Sequence, residues 1–127
     1  MLKPNAMKQK IGSGGTVFGL FGSIPHPSAV DLIGAAGYDF VILDAEHVLV
    51  NPETLENMIR AAEAAGLTAL VRVPDSAPNT ILRVLDAGAQ GVVVPHVNNA
   101  EEAARIVKAS RYYPLGMRSL NGGRPAD

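Results

Sequence analysis

Four short apolar runs recur along the chain, each followed by a segment with helix signals, and this alternation constrains the fold more than any other feature. The runs are TVFGLFG (16–22), DFVILD (39–44), TALVRV (68–73) and GVVVP (91–95). They are largely apolar on both faces, as expected of strands buried by helices and paired in parallel. Between them, Ser28 caps AVDLIGAAG, which Gly37 stops. Asn51-Pro52-Glu53 combines an N-cap, a proline at the first helical position and an acid in the first turn. Leu55, Met58, Ile59 and Ala62 then recur at helical spacing up to Gly66. A third helix is predicted from Asn79 to Ala87, ending at Gly88, and Asn99 caps a fourth, AEEAARIVKASR. Residues 112–127 read as loop.

The repeat is roughly 25 residues long, the size of unit that builds a (β/α)8 TIM barrel. The predicted fold class is therefore α/β, a (β/α)8 barrel of which this chain covers about the first four β/α units. An open doubly wound sheet is the competitor, but IGSGGTVFG precedes the first strand and lacks both GxGxxG and GK[ST]. Those glycines are read as a loop entering the first strand. Residues 1–127 are expected to form the N-terminal half of a single barrel, with 112–127 leading toward a missing fifth strand. Four parallel strands leave two unpaired edges, so self-association of the isolated chain is expected.

Composition narrows the function. A formal charge of −1 offers no basic surface for nucleic acid and no polybasic patch for a membrane. No apolar run approaches the roughly 20 residues needed to span a bilayer. The basic start MLKPNAMKQK followed by TVFGLFG is too short and glycine-broken for a signal peptide and reads as the approach to a strand. The absence of cysteine removes thiolate catalysis and fits a cytoplasmic location.

Functional groups in such barrels gather where strands end. Those ends carry Ser23 and His26, then Asp44, Glu46 and His47 in VILDAEH, then Arg72, then His96. Arg72 interrupts an apolar strand, where a guanidinium needs an anionic partner. That partner is either Asp44 or Glu46 in a structural salt bridge, or a substrate carboxylate held bidentately. His47 is either a hydrogen-bonded turn residue or an acid/base group tuned by the adjacent acids. His26 and His96, each beside a proline, are read as lining the rim. Lys3, Lys8, Lys10 and Lys108 all lie outside the four strands, so none is placed to form a Schiff base, and carbonyl chemistry here calls for a metal.

ILDAEH, LVRVP, ILRVLDAGAQGVVVPHVNNAEEA and RYYPLGMRS together resemble the HpcH/HpaI family of class II pyruvate aldolases, in order from about Gly12 to Ser119. The family includes 4-hydroxy-2-oxoheptanedioate and 2-dehydro-3-deoxyglucarate aldolases. The resemblance implies reversible cleavage of a 4-hydroxy-2-oxo acid to pyruvate and an aldehyde through a metal-stabilised enolate, in a homo-oligomeric enzyme. It makes His47 the acid/base residue, acting through a metal-bound water. Arg72 becomes the group that stabilises the enolate oxygen, and Asp86 the acid that raises the basicity of His47. Asp44 is nearer to His47 in sequence, so which acid pairs with it stays open. The divalent ion (Mg²⁺, Mn²⁺ or Co²⁺) is implied to take its Glu and Asp ligands from beyond residue 127, so the isolated chain is expected to be inactive. Ala45 and Ser119 stand where many members have glycine, the second pointing to a different substrate loop. Citrate-lyase-like enzymes share the fold but lack the DAEH–VRVP pair, an expectation against an acyl-CoA substrate. The rival readings are a non-catalytic half-barrel that self-associates and a phosphosugar-binding barrel.

Overall fold

The computed structural model describes residues 4–120. Its elements are α1 (Ala6–Gly12), β1 (Gly19–Gly22), α2 (Pro27–Ala35), β2 (Phe40–Asp44), α3 (Pro52–Ala64), β3 (Thr68–Arg72), α4 (Pro78–Asp86), β4 (Gly91–Val93) and α5 (Ala100–Ser110). The four strands form one parallel sheet in chain order, β1-β2-β3-β4. This is the βαβ repeat predicted from the alternation, with β1 and β4 at the two edges.

Strand parity separates two faces. Val41, Leu43, Ala69 and Val71 point toward the helices and are buried. There they meet Leu55, Met58, Ile59 and Ala62, the four positions whose spacing predicted α3. Phe40, Ile42, Leu70 and Arg72 alternate onto the opposite face and are only half-buried. The helices thus cover one face of the sheet, and the other is the face that a barrel would enclose.

Helix starts follow local chemistry. Asn51 Oδ1 accepts from the Thr54 amide at 2.8 Å, and Asn99 Oδ1 from the Glu102 amide at 2.8 Å, as predicted. The start of α2 differs from expectation. Proline at the first helical position moves the cap back to His26, whose Nδ1 accepts from the Ser28 amide at 3.2 Å. Helix α4 likewise starts at Pro78, one residue early, after an Ala77 cap with no side-chain bond.

The N-terminal helix α1 was not predicted. It has no buried residue, and tertiary bonds hold it. The Met7 amide donates to Thr68 Oγ1 at 3.4 Å, and Lys10 Nζ pairs with Asp39 at 2.7 Å, both at the N-terminal ends of strands. Strand β1 is shorter than the predicted 16–22 and β4 shorter than 91–95. Residues 112–120 contain no helix or strand. They fold back on α5, with the Met117 amide donating to the Lys108 carbonyl at 2.7 Å. The rest of the predicted loop, 121–127, lies outside the described residues.

Candidate active site

Strands β2 and β3 pair so that Asp44 and Arg72, the last residue of each, are register partners. Both fall on the half-covered face, side by side at the C-terminal edge. Arg72 Nε donates to Asp44 Oδ1 at 3.0 Å and Nη2 to Oδ2 at 2.6 Å, a bidentate fork. The Asp44 side chain is 4% exposed and that of Arg72 23%. Asp44 Oδ1 also accepts from the amides of Glu46 and His47 at 3.0 and 3.2 Å, which turns the chain outward at the end of β2. The guanidinium fork, helped by those two amides, holds the Asp44 carboxyl down at about 2 despite its burial. The same pairing pushes the Arg72 guanidinium upward.

A second carboxylate completes the cluster. Glu46, 12% exposed, places Oε2 3.4 Å from Arg72 Nε and 3.6 Å from His47 Nε2, and Oε1 3.2 Å from His96 Nε2. Phe21 of β1 lies under the guanidinium, whose Cζ is 4.8 Å from the ring centroid. The sequence named Asp44 and Glu46 as alternative partners for Arg72. Arg72 engages both, with Asp44 far the better placed. Phe21 was not anticipated, although it shares the parity of Ile42 through the β1–β2 register.

Other predicted residues fall elsewhere. His26, in the loop that follows β1, is the α2 cap, because Pro27 starts the helix one residue after it. His96 belongs to the Glu46 cluster. Asp86 is held by Arg118, whose Nη2 donates to Asp86 Oδ1 at 2.8 Å, and the Arg118 guanidinium lies over the Tyr112 ring. At His47 the side-chain acid is Glu46, while Asp44 bonds the His47 main chain. Asp86 also lines a cavity of about 660 Å³ between α3 and α4, bordered by Ala45, Val50, Asn79 and Arg83. The Asp86–Arg118 pair spans residues with no periodic signal linking them.

Chemically, this edge offers hydrogen-bond donors to an oxyanion beside two imidazoles. With its charge matched by Asp44, Arg72 can act on a ligand chiefly through directed N–H groups. Its Nη1 has no bond among the described residues. The donor set does not fit a metal ion. Both Asp44 oxygens are taken by Arg72, and the guanidinium also flanks Glu46. Among the described residues no group of three or more His, Asp or Glu could hold one.

The family model for "HpcH/HpaI aldolase/citrate lyase" matches residues 17–124. The chain belongs to this family. A 4-hydroxy-2-oxovalerate aldolase of Novosphingobium aromaticivorans is 40% identical over 124 residues, covering 94% of this chain and 46% of that protein. A 5-keto-4-deoxy-D-glucarate aldolase of Klebsiella pneumoniae is 34% identical over 118 residues, covering 93% and 46%. Among solved structures, the HpcH/HpaI aldolase of Desulfitobacterium hafniense matches with a TM-score of 0.87 at 31% identity, covering 95% of this chain and 49% of that one. The citrate synthase SbnG matches with a TM-score of 0.89 at 50% identity, covering 93% and 48%. The chain spans about half the length of the relatives it matches. Its fold is the (β/α)8 barrel class, represented here by four β/α units. A citrate synthase thus stands beside the aldolases among the proteins this chain is similar to. Among the described residues no helix is long and apolar enough to cross a membrane.

Proposed function

We propose that the chain contributes the strand-end face of an enzyme that forms and uses the enolate of a 2-oxo acid. The reaction is the reversible cleavage of a 4-hydroxy-2-oxo acid to pyruvate and an aldehyde. The observation that carries this reading is Arg72: a guanidinium locked to Asp44 at the end of a parallel strand, with His47 and Glu46 beside it. Arg72 supplies donors, fixed before substrate arrives, to the oxygen on which enolate charge develops. His47, 71% exposed at the lip, moves the proton at the pyruvate methyl carbon. Asp86 is retained as the acid supporting His47 on the strength of the family resemblance alone. A divalent ion (Mg²⁺, Mn²⁺ or Co²⁺) belongs to the same proposal, with ligands outside these residues. So do a homo-oligomeric assembly and a cytoplasmic location.

In the full-length protein, Arg72→Lys keeps the charge and loses the fork, so turnover should fall by at least ~10²-fold. His47→Ala should slow deuterium exchange into the pyruvate methyl group. Near-parental activity in both variants would leave the cluster a structural salt bridge, and borohydride trapping of a pyruvate adduct would replace the enolate route with a Schiff base.

The 50% identity to a citrate synthase supports a second reading, in which the same enolate chemistry joins carbon units rather than cleaving them. Assaying pyruvate with aldehydes against an acyl thioester with an oxo acid separates the two.

A further inference from the structure

We propose that His96, oriented by Glu46, is a second acid/base residue of the site, taking the proton from the 4-hydroxyl group while His47 serves the methyl carbon. This rests on the aldolase reading above and adds to it a residue and a division of labour.

Cleavage moves two protons at different atoms. The hydroxyl proton must leave as the C3–C4 bond breaks, its electron pair passing into the enolate and the aldehyde departing. The enolate carbon must then gain a proton to become pyruvate. One imidazole beside each reacting atom does this without a large movement of substrate or side chain.

The strand order supplies that arrangement. β3, which ends in Arg72, lies between β2 and β4, so the loop carrying His47 follows one neighbour and His96 follows the other. An enolate oxygen held at Arg72 is thus flanked by an imidazole on each side. Glu46 reaches both, with Oε2 toward His47 and Oε1 toward His96.

The His96 contact also determines a tautomer. An ionised carboxylate only accepts hydrogen bonds, so the 3.2 Å contact to Glu46 Oε1 places a proton on His96 Nε2. Nδ1 of the neutral ring is then a lone pair, and it has no partner among the described residues. The side chain is 82% exposed, open to a substrate hydroxyl. When Nδ1 takes the proton, Glu46 faces the resulting imidazolium, the relation by which carboxylates support histidine bases generally.

The backbone is committed to the same end. His96 is the one non-glycine residue with positive φ among the described residues, at 57°. Such conformations are sparsely populated for residues with a Cβ and concentrate at functional sites. Asn98 holds it, donating from Nδ2 to the His96 carbonyl at 2.8 Å. Proton balance closes through solvent: His96 releases the hydroxyl proton and His47 reloads, both rings being exposed.

The test compares two rates in the full-length protein, cleavage of a 4-hydroxy-2-oxo acid and methyl-proton exchange of pyruvate, for the parent and for His96→Gln. The exchange reaction has no hydroxyl to deprotonate. The ratio of cleavage to exchange should fall by about 10²-fold, the usual contribution of one positioned base. An unchanged ratio, whether both rates fall together or neither does, would overturn the assignment. A parent protein with neither activity would overturn the aldolase reading, and this proposal with it. Independently of activity, ¹⁵N shifts of the His96 ring should report the proton on Nε2, and a proton on Nδ1 would refute the orientation by Glu46.

Discussion

Replacing Asp44 with asparagine tests the central contact of the site through folding rather than turnover. The carboxyl sits at about 2 against an ordinary 3.8, because the Arg72 fork favours its charged form. At about 1.4 kcal/mol per pH unit, that difference is worth roughly 2 kcal/mol of folding stability at neutral pH. Removing the charge also leaves a partly buried guanidinium poorly matched, which adds to the loss. We expect Asp44→Asn to be about 2–3 kcal/mol less stable than the parent in urea unfolding at pH 7. The sign of the pH dependence follows from the lowered value. A carboxyl whose folded value lies below its unfolded one stabilises fully above about 4, and that contribution disappears as pH falls through about 2. The gap between parent and variant should therefore be constant from pH 7 to 5 and narrow toward pH 2. Taking the difference cancels other groups, including Asp39, which its bond from Lys10 also lowers. A gap below about 0.5 kcal/mol at pH 7, the size of an ordinary surface substitution, would refute the reasoning. So would a gap that stays the same at pH 2.

Two further substitutions test the packing behind the site. A Cβ added at Gly34 would stand 2.5 Å from the Ala65 Cβ, so Gly34→Ala must push α2 away from the end of α3. It should cost about 1–3 kcal/mol in thermal unfolding. Asn51→Ala deletes the acceptor for the Thr54 amide at the start of α3 and should cost about 1 kcal/mol, with serine at the position restoring most of it.

What could be read in advance was whatever local chemistry determines. The four buried positions of α3 lie at helical spacing, and its cap and first-turn proline are adjacent residues. The boundaries that shifted, at α2 and α4, are places where a proline starts the first turn earlier than expected, Pro27 ahead of the expected Ser28 cap and Pro78 ahead of the expected start at Asn79. Helix α1 lay outside reach because its stabilising partners, Thr68 at the start of β3 and Asp39 just before β2, lie far along the chain. The site divides in the same way. VILDAEH and the arginine in TALVRV stood out because charge in or beside an apolar strand is costly and needs a reason. His96 did not, since its partner Glu46 is 50 residues away and only the parallel sheet brings their loops together. Arg118 and Asp86, 32 residues apart, are linked by the fold-back of the chain on α5, which no repeat or spacing announces.

The Asp44–Arg72 pair also helps to specify the sheet that presents it. In a parallel sheet a one-residue slip between neighbouring strands reverses which side chains share a face. Val71 and Val73, on either side of Arg72, are fully buried toward the helices. A slip would therefore drive the guanidinium into the apolar layer among α3 and α4 and leave the Asp44 carboxylate without its fork. Hydrophobic residues alone discriminate weakly here, because both parities of β2 and β3 are largely apolar. The charged pair at the strand ends discriminates strongly, since each misplaced ion would cost several kcal/mol. The same contact thus selects the register and holds Arg72 in place before any ligand arrives. A donor held in that way loses little conformational freedom when an oxyanion binds, and that is the condition under which one guanidinium becomes an effective enolate clamp.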